Sequence, residues 1–118
     1  MIVEERIYRI RNGRIGNYLQ LVRDEGLAIQ QPILGFLIGY FTTEFGTLSQ
    51  VTHLWGYADY EDRARRRRQL ANDDRWQAFL PKLSENIEQA ENRILVPTDF
   101  SPLRMPSGFS QQYEETRQ

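Results

Sequence analysis

The chain contains a single histidine, His53. It stands in the stretch QVTHLWGYA, where alternation puts Val51, His53, Trp55 and Tyr57 on one strand face and Thr52, Leu54, Gly56 and Ala58 on the other. An imidazole so placed could serve as a general base or as a ligand to a metal or haem. No acid or second ligand accompanies it at a useful spacing, so a triad or a metal cage would lack its other members. A core histidine with hydrogen-bonded ring nitrogens is the competing reading. Arg6 and Tyr8 stand two apart in the opening segment and therefore share a face, where guanidinium and phenol could hold a carboxylate or a phosphate. A surface arginine paired with a neighbouring acid would look the same.

The run Arg65-Arg66-Arg67-Arg68 suggests a phosphate or nucleic-acid patch. Consecutive helical residues are ~100° apart, so these four fan around a helix instead of forming one face. Between Asp59 and Arg75, six arginines meet five acids, which describes a solvated, ion-paired helix. Arg67 is the exception. It falls in the row of Tyr60, Ala64 and Ala71, the apolar side, from which its stem can lie on the core while its head enters a cleft. Phe36, Tyr40, Trp55, Tyr57, Trp76 and Phe79 could line an aromatic pocket or simply fill a small core. Glycine-rich phosphate loops, serine-nucleophile elbows and zinc-binding helix motifs are absent, so we expect no cofactor and no metal site.

These residues need elements to hold them. Residues 2–10 read as a strand with two competing registers, since Val3, Glu5 and Ile7 alternate with Glu4, Arg6, Tyr8 and Ile10. Asn12-Gly13 is a turn. A helix is expected over 14–30, with Ile15, Tyr18, Leu19, Val22, Gly26 and Ile29 in one stripe. Gly26 should mark a bend or a close contact, and Pro32 should end the helix. Residues 34–45 form a strand with Phe36, Ile38 and Tyr40 on one side and Leu37 and Phe41 on the other. It pairs with 50–58 as a hairpin. Asp59 caps a helix to about Ala71, a short helical piece kinked at Pro81 follows Asp73, and a last strand runs from about Asn92 to Val96.

The order strand, helix, strand, strand, helix, strand is the split β-α-β pattern of ferredoxin-like α+β folds, a four-stranded antiparallel sheet with helices on one face. The strands read as apolar on both faces, so something must cover the second face, and another copy of the chain is the simplest candidate. The expected organisation is one domain over residues 1–104 and a polar, mobile tail over 105–118.

Bulk properties narrow the class. The chain has 118 residues, 15 basic against 16 acidic, which gives no global attraction to nucleic acid or an anionic membrane. Fourteen of the bases are arginine, a compositional bias that nothing in the fold requires. With no cysteine there is no disulfide framework or thiolate nucleophile, which fits a reducing compartment. The start, MIVEERIYRI, is unlike a signal peptide, and no apolar run reaches the ~20 residues of a membrane span. A cytoplasmic homodimer is expected, without nucleic-acid partners or a membrane span.

Three stretches resemble the NIPSNAP family. They are Glu5-Arg6 with Tyr8 and the Asn12-Gly13 turn leading to the Tyr18 helix; His53-Leu54-Trp55 with Tyr57, running into Asp59-Tyr60-Glu61-Asp62-Arg63; and Glu91-Asn92-Arg93-Ile94-Leu95 with Pro97, Thr98, Phe100, Ser101 and Pro102. The last is the most specific, and together they span about residues 2–104. The resemblance implies a dimeric α+β barrel and no common reaction. Related barrel families include monooxygenases and haem- or quinol-handling enzymes, so a small-molecule site follows by fold analogy alone. The expected function is a homodimeric binding or interaction module. The alternative is a monooxygenase- or isomerase-like barrel enzyme acting on an apolar cyclic molecule. The enzyme reading needs a pocket between sheet and helices where His53, Tyr8 or Arg6 converge, while the module reading expects those side chains to be tied up with one another or at the dimer seam. A small-molecule ligand, if bound, would be held by Arg6, Tyr8, His53 and Arg67.

Overall fold

The structure is a computed structural model that describes residues 1–107. Its elements are β1 (Ile2–Ile10), α1 (Ile15–Leu21), a π-helical turn (Val22–Gly26), α2 (Leu27–Leu34), β2 (Phe36–Thr42), β3 (Gln50–Tyr57), α3 (Tyr60–Ala71), α4 (Asp74–Ser84) and β4 (Ile87–Leu95). The four strands form one antiparallel sheet in the order β2-β3-β1-β4. This is the expected ferredoxin-like α+β arrangement, with the helices on one face. The mobility expected for the tail concerns residues that lie mostly outside the described ones.

The register of β1, ambiguous from its alternation, is settled by its partners. Glu4 lies opposite Trp55, Arg6 opposite His53 and Tyr8 opposite Val51, so the even residues of β1 face the helices together with the odd residues of β3. The core on this side contains Ile2, Ile10, Tyr18, Val22, Leu34, Val51, Trp55, Tyr57, Leu70, Phe79 and Leu83.

Three local expectations are corrected. Pro32 does not end the helix, because α2 continues to Leu34. A proline in the last turn loses one hydrogen bond, and the stop comes from Gly35, whose φ of 89° is open to glycine at little cost. In β2 the pairing shifts between Leu37 and Gly39, so Tyr40 lies opposite His53 on the helix side, away from Phe36 and Ile38. The last strand begins at Ile87, five residues earlier than its apolar residues indicate, because β4 is an edge strand that is mostly exposed.

Gly26 marks a close contact. It closes the π turn, and a Cβ there would sit 3.2 Å from the Phe79 ring. Asp59 caps α3 by accepting from the Asp62 amide at 2.7 Å. No helix among the described residues is long and apolar enough to cross a membrane.

Candidate functional site

β1, β2 and β3 bring Arg6, His53 and Tyr40 into one cross-strand row on the helix side. The Tyr40 ring stacks on the His53 imidazole, with centroids 4.5 Å apart and planes 14° apart, and the Tyr8 ring meets it edge-on at 5.0 Å. Tyr18, from α1, meets Tyr8 edge-to-face and shares a 2.5 Å hydroxyl–hydroxyl hydrogen bond with Tyr40. Above the row, α2, α3, α4 and the start of β4 enclose a cavity of about 200 Å³. Arg6, Tyr8, His53 and Arg67 all line it, joined by Tyr18, Gln30, Tyr40 and Trp76, while Leu80, Leu83 and Ile87 supply an apolar end. Arg6 and His53 therefore project from the same face, the condition a shared site requires.

His53 is held in one tautomer. Trp55 Nε1 donates to His53 Nδ1 at 2.8 Å. An indole N–H can only donate, so Nδ1 accepts and the proton sits on Nε2. Burial, then the charges of Arg6 and Arg67, hold the imidazole pKa down to about 3, against the opposing pull of Glu4. The ring is thus a neutral donor whose Nε2 makes no hydrogen bond among the described residues. This removes the general-base and the metal- or haem-ligand readings, because both need a lone pair on Nε2. Burial also raises the Tyr18 and Tyr40 hydroxyls above the usual phenol range.

The arginines divide by partner. Arg6 donates through Nε to Tyr8 Oη at 2.9 Å and through Nη1 to Glu4 Oε2 at 3.0 Å. Glu4 is fully buried, and the same oxygen accepts from Arg63 at 2.7 Å and Asn92 at 2.7 Å. Burial alone would raise this carboxylate, but the bonds from Arg63 and Asn92 and the charge of Arg6 win and hold it at about 2. Within the arginine run, Arg65 and Arg66 both reach Asp62, and Arg66 also donates to the Ile33 carbonyl. Among the described residues no carboxylate pairs with Arg67, although it is half-buried on the cavity wall.

The buried row of α3 is Asp62, Arg66 and Leu70, not the Tyr60–Ala64–Arg67–Ala71 row, and Tyr60 is largely exposed. Buried ion pairing outweighed apolarity in setting the helix rotation, and Arg67 reaches the cavity from the flank. Of the aromatic candidates, Tyr40 and Trp76 line the cavity, Trp55 and Tyr57 are buried on the same sheet face, and Phe79 packs against Gly26. Phe36 lies on the opposite face beside Gly56. Glu4 and Gln30 were missed. Glu4 gave one usable signal, its even position beside Arg6 and Tyr8, but its partners Arg63 and Asn92 are 59 and 88 residues away.

Comparison with known proteins places this geometry. The NIPSNAP family model matches residues 3–102. A crystal structure of a NIPSNAP family protein from Agrobacterium tumefaciens is 70% identical, covers 87% of this chain and 98% of that one, and superposes with a TM-score of 0.86. A NipSnap homolog of Dictyostelium discoideum is 30% identical over 94 residues, which are 80% of this chain and 41% of that protein, so the chain spans about two-fifths of that relative. An antibiotic biosynthesis monooxygenase structure, 11% identical with a TM-score of 0.59 over 83% of this chain and 99% of that one, shares the fold.

Proposed function

We infer that this chain, which belongs to the NIPSNAP family, is a homodimeric binding module whose pocket between sheet and helices holds a small molecule through Arg6, Tyr8, His53 and Arg67. The observation that carries this reading is the convergence of those four side chains on one cavity with donors left over. Binding is favoured over catalysis because no displaced titration moves toward neutrality. His53 stays neutral, Glu4 stays charged, and the Tyr18 and Tyr40 phenols stay protonated. The monooxygenase- or isomerase-like alternative would need a proton-transfer group that this row does not supply.

The dimer is supported by the other sheet face. All helices pack on one side, and Phe36, Ile38, Ile7 and Leu54 are only partly covered on the other, with Phe41 exposed. A second copy laid on this face would bury that surface. A cytoplasmic setting fits the cysteine-free composition. Nucleic acid is not among the proposed partners, since Arg65 and Arg66 are engaged by Asp62.

Light scattering at micromolar concentration is expected to report twice the 14.0 kDa chain mass. For the pocket, a panel of ring compounds of up to about ten heavy atoms is titrated while tryptophan emission is followed, to which Trp76 on the cavity wall contributes. Ligands should shift the emission, and Leu80→Phe, which narrows the apolar end, should weaken them. A panel without a single saturable response would defeat the pocket reading.

A further inference from the structure

We propose that the ligand of this pocket is a small organic monocarboxylate, its head held by Arg67 and His53 and its hydrocarbon body lying against Trp76, Leu80, Leu83 and Ile87. The assignment rests on the pocket reading above and adds the chemical class.

A donor and acceptor inventory of the wall points to it. Arg67 offers a guanidinium with no carboxylate partner among the described residues. His53 is 2% exposed, and its Nε2–H has no acceptor. Tyr8 Oη already accepts from Arg6, so its own hydrogen remains to be given. The Tyr18–Tyr40 pair uses one of its two hydroxyl hydrogens internally and keeps the other. Against these donors stands one uncharged side-chain acceptor on the lining that is not itself in a described bond, the Gln30 amide oxygen. A wall rich in donors and poor in acceptors fits a ligand rich in acceptors.

Charge sets the valence. Arg6 is offset by Glu4 at 3.0 Å. Arg63 shares that carboxylate but does not line the cavity. Arg67 is then the cation on the wall left to be matched, and one carboxylate matches it. A dianionic phosphate would bring a second charge into a half-apolar cavity with no cation for it. A planar carboxylate also suits the guanidinium fork, which can grip both oxygens. Size sets the body: about 200 Å³ is six or seven water volumes at ~30 Å³ each, room for one ring or a short chain. For that body the lining offers Leu80, Leu83, Ile87 and the Trp76 indole.

The test is calorimetric titration of the full chain with matched acids and primary amides: benzoate with benzamide, 3-phenylpropionate with its amide, and butyrate with butyramide, plus phenyl phosphate. At least one acid is expected to bind about tenfold or more tightly than its amide and than phenyl phosphate. Arg67→Met should erase that preference by weakening the acids far more than their amides, and Arg67→Lys should retain part of it. Circular dichroism would confirm that both variants fold. Amides binding as well as acids, or an acid preference that survives Arg67→Met, would overturn the carboxylate assignment and leave the pocket reading standing. Tighter binding of phenyl phosphate would replace the carboxylate by a phosphate head. No binding by any acid, amide or phosphate at concentrations up to about 10 mM would defeat both readings together.

Discussion

On the helix side of the central strands, the buried residues Glu4, His53, Trp55 and Tyr57 all carry polar atoms. On the opposite side, Val3, Ile7, Thr52 and Leu54 carry a single hydroxyl among them and surround one acid, Glu5, which pairs with Arg93 of the edge strand. The two faces are built from the same residues in alternation, so the difference lies in what each must accommodate. The helix side is closed by the chain's own helices, and every polar group there has to find a fixed partner or a ligand. Glu4 Oε2 receives Arg6, Arg63 and Asn92, and Trp55 holds His53 Nδ1, while Glu4 Oε1, His53 Nε2 and Tyr57 Oη make no hydrogen bond among the described residues. The open side is apolar across β2 and β3, carries Glu5 between Val3 and Ile7 in β1, then turns charged at β4 with Gln89, Glu91 and Arg93 exposed. A polar interior fixes directions and serves recognition, while an apolar exterior asks only for cover. The expectation that every strand is apolar on both faces is corrected here, since β4 forms a polar rim.

The largest effect should come from breaking the closed face at its centre. Trp55→Ala empties a fully buried site and strips His53 of its donor. A loss of about 3–5 kcal/mol is expected from the cavity, visible as a lowered urea midpoint. An unchanged midpoint would mean that Trp55 is not part of the packed interior.

The closed face should also reveal itself through pH. His53 is held at about 3, well below its ordinary 6.5. The unfolded chain takes up a proton as pH falls through 6.5 and the folded chain does not, so stability is fully present above that value and is lost on the way to 3. Over the window from 6.5 to 4.5 this amounts to roughly 2–3 kcal/mol, at ~1.4 kcal/mol per pH unit. Glu4 has the same sign, since its carboxylate is held at about 2 against 4.5. Its contribution is present above 4.5 and is lost below. Urea unfolding of His53→Gln at pH 7, 6 and 5 should therefore show a flatter pH dependence than wild type. Parallel curves would place the titration elsewhere.

The division between the faces was partly readable from residues alone. The alternation in β3 placed His53, Trp55 and Tyr57 together, and the composition of the second helix singled out Arg67 as reaching a cleft. Tyr40 was assigned to the wrong side because a bulge of one residue reverses a strand's faces and leaves no compositional mark. The register of β1 stayed open because the buried side carries a glutamate and an arginine. Their burial makes sense only with Arg63 and Asn92 in place, contacts that no local pattern contains. The rotation of α3 was misjudged for the same reason, since Asp62 and Arg66 are buried as a pair at 2.7 Å.

The open face should break differently. Phe41→Lys places a charge where the aromatic ring is 54% exposed. Chain stability should move by less than about 0.5 kcal/mol, while the proposed dimer weakens by about tenfold or more, read from the concentration dependence of light scattering. Unfolding of the chain itself would show that Phe41 belongs to the core, and a dimer indifferent to the lysine would move the proposed interface away from this face.

The smallest effect on stability should come from the residue proposed to matter most for binding. Arg67→Met removes a half-buried guanidinium that no described carboxylate pairs with, and it keeps the aliphatic stem that packs along the cavity wall. Removing a cation that shares the cavity wall with Arg6 also relieves like-charge repulsion, so stability in the absence of ligand should change by less than about 0.5 kcal/mol, with a small gain the expected sign. Arg66→Met is the control from the same helix. It would break a pair in which both partners are nearly solvent-free, Arg66 at 4% side-chain exposure and Asp62 at 0%, and should cost about 3–5 kcal/mol. Two adjacent arginines with opposite consequences, one for folding and one for binding, would separate the structural part of the closed face from its recognising part. A loss at Arg67 as large as that at Arg66 would show instead that Arg67 is structural.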